Sequence, residues 1–154
     1  LKGGEAGLLD WVPRGEGGDR LEIDAKKPAA TWKDAFIKFG FGYHMAQREL
    51  IDQSFHWPSM YAYETDVAKS WDPSNGDVSA FKRAWLDEFI ANSQHRTRGE
   101  TERLLSMTLG TGKVTKKTKD TVVFAAHANF GGGVQRTYHL KQVDGTWYLW
   151  RVDF

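Results

Sequence analysis

Apolar positions recur at spacings of four and three along Trp32, Phe36, Phe39, Tyr43, Ala46 and Leu50. That period draws one stripe down a helix. Thr31 is a good N-cap residue, and Asp34 three positions later completes a capping-box pair. Gly40 and Gly42 interrupt the stripe. Each costs about 1 kcal/mol relative to Ala, so the expectation is a bend or a close approach that gives room to large rings. Pro58 stops any continuation, and "SMYAYETDVAKSW" reads as a short second helix. A further helix is expected from about Asp77 to Ser93. Val78, Phe81, Trp85 and Phe89 form its buried side; Lys82, Arg83, Asp87 and Glu88 form its wet side. "SQHRTRG" ends it, with His and Arg suited to the negative end of a helix dipole.

Beyond this point the period is read as two. "ETERLLSMTLGTGKVT", "DTVVFAAHANF", "VQRTYHLKQV" and "TWYLWRVDF" are expected strands, joined by "KKTKD", "GGG" and "DG" turns. A two-residue Asp-Gly turn sets Val143 opposite Thr146. Leu140 then faces Leu149, Tyr138 faces Arg151 and His139 faces Trp150. A three-residue glycine loop places Ala126 against Tyr138, Phe124 against Leu140 and His127 against Thr137. One face so built carries Val122, Phe124, Ala126, Ala128, Tyr138, Leu140, Trp147 and Leu149, and belongs under the helices. The other carries Val123, Ala125, His127, Asn129, Thr137, His139, Lys141, Tyr148, Trp150 and Val152. This second face is too apolar for water alone and too polar for a second core. Such surfaces mark contacts, so either a partner or residues 1–24 folding back should cover it.

The glycine-rich stretch 1–30, with "LLDWV" and "RLEID" as short docking strands, reads as a lead-in or linker to a single domain over 31–154. The chain starts at Leu1, which suggests a piece of a longer, secreted or membrane-anchored product; the compartment itself stays open. Seven Trp, nine Phe and five Tyr forecast a core of rings. A net charge of +1 gives no general reason to expect nucleic acid. The absence of cysteine removes disulfides and thiolate chemistry. No run approaches the roughly 20 apolar residues of a membrane helix.

Helices followed by an antiparallel meander ending in "DGTWYLWRV" resemble the nuclear transport factor 2-like superfamily over residues 31–154. The resemblance implies an α+β cone: N-terminal helices packed on a curved antiparallel sheet, with a pocket at its open end and dimerisation through its outer face. Fold alone does not fix function. The leading expectation is a non-catalytic interaction module that pairs with itself or another subunit through His127, Thr137, His139, Tyr148, Trp150 and Val152. The alternative is a small-molecule enzyme (dehydratase, isomerase or hydrolase) with Tyr43, His56, Tyr63, Asp66, Tyr138 and Arg151 as pocket candidates. Two histidines on one face could begin a metal site. No acidic residue is read on that face, so neither metal nor cofactor is expected. Arg151, read as facing the helices, needs a partner such as Glu49 or Asp52, or an anionic ligand. Arg136 is read as an edge ion pair with Asp153. The lysines of "GKVTKKTKD" are read as a solvated turn that guards a sheet edge.

Overall fold

The computed structural model describes residues 11–12, 20–21, 25–127 and 135–153. The architecture is α+β: five helices packed against a four-stranded antiparallel sheet. A two-residue pair, β1 (Trp11–Val12) and β2 (Arg20–Leu21), comes first, with β2 lying against a later helix, α5. The helices are α1 (Trp32–His44), α2 (Arg48–Ser54), α3 (Trp57–Asp66), α4 (Val78–Asn92) and α5 (Arg98–Thr111). The sheet is a meander in chain order: β3 (Lys113–Lys117), β4 (Thr121–His127), β5 (Gln135–Val143) and β6 (Thr146–Asp153).

The capping box opens α1 as expected: Asp34 N donates to Thr31 Oγ1 at 3.1 Å, and Thr31 N donates back to Asp34 Oδ2 at 3.2 Å. The stripe does not run through to Leu50 as one helix. The chain turns at Ala46, in the left-handed region at φ 57°, and restarts as α2. Gly42 lets α2 return this closely, and Gly40 lets α5 approach. A Cβ on Gly42 would stand 2.8 Å from both Ile51 N and Ile51 Cγ1, and one on Gly40 would stand 2.4 Å from Leu105 Cδ2 of α5. The neighbours given room are thus aliphatic side chains and backbone, not the large rings expected. Leu105 can yield at Gly40, but the α2 backbone cannot step aside easily at Gly42. Gly42→Ala should therefore cost about 1–3 kcal/mol, read as a lower urea midpoint with an unchanged slope. An unchanged midpoint would mean that α2 rides over the added methyl freely.

The largest correction concerns residues 100–111, expected as strand and found within α5. A second capping box starts it: Glu100 N donates to Thr97 Oγ1 at 3.2 Å, and Thr97 N donates to Glu100 Oε1 at 2.9 Å. Its buried residues, Thr101, Glu102, Leu104, Leu105 and Thr108, keep helical spacing. The threonines, which incline a segment towards strand, each satisfy their hydroxyl on the carbonyl four residues back at 2.8 Å, at Thr101, Thr108 and Thr111.

Sheet register decides which side chains meet. Between β4 and β5 the pairing is Val122↔Leu140, Phe124↔Tyr138, Ala126↔Arg136 and His127↔Gln135, two residues from the expected register. A shift of two keeps every side chain on its expected face, and Val122, Phe124, Ala126, Tyr138 and Leu140 are buried. Between β5 and β6, Val143↔Thr146 and Leu140↔Leu149 pair as expected. The register then slips between Leu140 and His139, so that His139 faces Arg151, Tyr138 faces Val152 and Thr137 faces Asp153. Trp150 is the extra residue of a β-bulge. The expected pairs Tyr138–Arg151 and His139–Trp150 are thereby replaced. Val152 turns inward against the core, and Arg151 turns outward.

The two long edges of the sheet differ. Phe55 forms a parallel bridge with Leu149, and His56 N donates to Leu149 O at 2.8 Å, so β6 is flanked by the chain entering α3. Every residue of β3 is exposed, including Lys113, Lys116 and Lys117, a lysine-studded edge of the kind that discourages strand addition.

Candidate functional site

Two places gather chemistry. The first is the outer face of β5–β6. The bulge puts Arg151 and Asp153 on one side of β6, two residues apart and beside His139. Arg151 Nε donates to Asp153 Oδ1 at 2.8 Å, and His139 Nε2 lies 3.0 Å from Asp153 Oδ2. Burial works to raise the Asp153 pKa, but the bonds from Arg151 and His139 outweigh it and hold the carboxyl below its ordinary value. The same carboxylate raises the pKa of Arg151 by accepting its hydrogen bond.

Rings bind this network to α3. The Arg151 guanidinium sits 4.4 Å over the Tyr63 ring. Tyr63 meets Trp150 edge-on at 5.9 Å, His139 meets Trp150 at 5.6 Å, and Lys141 Nζ lies 5.7 Å from the Trp150 ring. Farther along β6, Tyr148 lies 5.4 Å from the His56 ring, whose Nδ1 is 2.7 Å from Ser59 Oγ. Burial lowers the His56 pKa, helped by the charge of Lys141. Tyr148 also borders a groove formed by residues 25–29 and α2.

The second place is a cavity of about 520 Å³ between α1, α4 and β5. Phe39, Trp85 and Phe89 give it aromatic walls, and Tyr43, Glu88, Asn92, Arg136 and Tyr138 give it polar groups. Tyr43 Oη donates to Asn92 O at 3.3 Å, and Asn92 Nδ2 donates to Glu88 Oε2 at 3.1 Å. Burial pushes the Tyr138 phenol up, against the positive charge of Arg136, which pulls it down. His44, at the end of α1, has its pKa lowered to about 4 by burial first, then by the positive charges of Arg96 and Arg136.

The residues singled out from sequence therefore divide. Thr137, His139, Tyr148 and Trp150 share the outer face, while Val152 has moved to the core side. The side chain of His127 and all of Asn129 lie outside the described residues. Of the pocket candidates, Tyr43 and Tyr138 line the cavity. Tyr63 and Arg151 meet on the other side of the sheet, and His56 stands with Tyr148. Asp66 is exposed near the end of α3 and accepts from Thr65 Oγ1 at 3.3 Å.

Two pairings change as well. Arg151 is held by Asp153 rather than by Glu49 or Asp52; Asp52 instead pairs with Lys82 at 3.1 Å. Arg136 stands opposite Ala126 and lines the cavity, where an edge pair with Asp153 was expected. An acidic residue, Asp153, does occupy the outer face beside His139, contrary to expectation. Among the described residues no three His, Asp or Glu side chains gather in a way that could hold a metal ion. Arg136 could have been found from sequence by its alternation with Tyr138 and Leu140, which sets a cation on the helix-facing side.

Comparison with protein-family models, with curated proteins and with solved structures finds no match to this chain. Among the described residues no helix is long and apolar enough to cross a membrane.

Proposed function

We propose that the domain is a non-catalytic assembly module, of the nuclear transport factor 2-like type, that pairs with a second copy of itself through the outer face of its sheet. The observation that carries this reading is the setting of Trp150. Its indole is gripped by Tyr63, His139 and Lys141 and remains only partly buried. Interface hot spots are built from Trp, Tyr and Arg held rigid by neighbours before binding. Here Trp150, Tyr148, Tyr63 and Arg151 lie on or beside the same strand. The face also carries both signs of charge, Arg151 and Lys141 against Asp153. A two-fold copy can pair such charges reciprocally, and two-fold dimers are the commonest closed assemblies.

Trp150→Glu tests this. Its ring packs on side chains of the outer face and not on the core, so the variant should keep its helical circular dichroism. It should dimerise at least about thirtyfold more weakly, the loss expected for a hot-spot side chain worth about 2 kcal/mol. Sedimentation equilibrium reads both forms. A wild-type chain that stays monomeric at concentrations on the order of 100 μM, or a variant of unchanged mass, would dispose of the proposal.

A further inference from the structure

We propose that the cavity between α1, α4 and β5 binds a small, flat organic anion, its ring system against the wall of Phe39, Trp85 and Phe89 and its anionic group at Arg136. The volume, about 520 Å³, lies within the range of small-molecule sites. The walls are aromatic: Phe39 and Phe89 stand edge-on at 5.4 Å, and Trp85 lies 5.4 Å from Phe89. A flat apolar body can lie against such an aromatic wall.

The polar groups are unevenly placed. Arg136 and Tyr138 come from the sheet floor, and Tyr138 is buried at 7% exposure. Arg136 and Tyr138 line the same cavity, and the positive charge of Arg136 acts on the Tyr138 phenol. Burial keeps that phenol protonated, so it can act as a neutral donor as well as an acceptor. Glu88 and Asn92 come from the exposed side of α4 and bond each other. The result is a positive floor and a negative rim. A ligand with one anionic end is therefore oriented, its charge towards β5 and away from Glu88. Guanidinium forks suit carboxylates, sulfonates and phosphates alike, and the shared feature is a planar or pyramidal oxyanion on an apolar body.

The test is a fluorescence titration of the whole chain with a matched pair of probes: anilinonaphthalene sulfonate and its uncharged analogue phenylnaphthylamine. Wild type should bind the sulfonate saturably and about tenfold more tightly than the neutral probe, as expected for one charge-assisted hydrogen-bonded contact. Arg136→Gln should abolish that preference while the neutral probe still binds. Equal affinities in wild type, an intact preference in Arg136→Gln, or no saturable binding would each overturn the proposal. Asn92→Trp gives an independent reading should Arg136→Gln not fold. It replaces an exposed residue and fills the mouth, so both probes should weaken by about tenfold or more. Unchanged binding of both would place the probes elsewhere and refute the site.

Discussion

Phe81→Ala lowers the free energy of unfolding by about 3–5 kcal/mol, the range for a ring removed from a packed core. Phe81 is 0% exposed and sits at the junction of α3, α4 and the segment between them. Trp71 and Tyr61 meet it edge-on at 5.3 and 5.4 Å, with Trp85 at 6.2 Å and Trp57 at 6.4 Å. Four rings converging on a fifth cannot close the gap by small rotations, because each is held by another contact. Trp71 Nε1 and Tyr61 Oη both donate to Gly76 O, and Trp57 Nε1 donates to Asp52 O. The cavity therefore stays open and its cost is not relaxed away. Urea unfolding measures the change. Val67→Ala, at a position 66% exposed, serves as the reference and should shift stability by less than about 0.5 kcal/mol. A Phe81→Ala loss as small as that would show that α3 and α4 do not share a core.

His44→Gln flattens the dependence of stability on pH. The folded His44 pKa of about 4 lies below the ordinary 6.5. Between those values the unfolded chain takes up a proton that the folded chain refuses, so acid favours unfolding. The full effect is on the order of 3 kcal/mol, present above pH 6.5 and lost as pH falls to about 4. A helix C-terminus ordinarily favours a charged His, but here burial and two neighbouring guanidinium groups prevail.

Asp34 works in the opposite sense. Burial raises its pKa from 3.8 to about 6, against bonds from Thr31 and Ala30, so the fold binds its proton first as pH falls. The wild-type profile mixes the two, and the difference between variant and wild type isolates His44. Relative to wild type, His44→Gln should gain about 2–3 kcal/mol on going from pH 7 to pH 4.5, by urea unfolding at each pH. Parallel profiles would mean that His44 titrates normally.

Much of the fold was legible because its signals are local. The Thr31–Asp34 capping pair, the α1 stripe and the buried side of α4 depend on residues a few positions apart. The alternation in β4–β6 separated the core face from the outer face correctly as far as Leu149, even where the expected pairing was two residues out. What escaped has identifiable causes. The segment 100–111 carries threonines that suit strands, and the Thr97–Glu100 capping box that opens α5 outweighs them. The candidate sites were half visible: Tyr43 and Tyr138 meet at the cavity, but Trp85 and Asn92 reach it from α4, a contact between distant parts of the chain that no local pattern encodes. Arg136 was within reach of the alternation argument and was masked by the expected partnership with Asp153.

The bulge at Trp150 carries a consequence of a different kind. It acts as a parity switch: every residue after it trades allegiance between core and surface, and nothing before it changes. Arg151 and Asp153 owe their outward place to a count, not to their own chemistry, and Val152 owes its inward place to the same count. Scanning substitutions preserve that count and leave the switch untouched. Pairing the full-length strand without the bulge would reverse the count, turning Arg151 and Asp153 toward the core and Val152 toward solvent, whereas loss of Trp150 alone would leave all three in place.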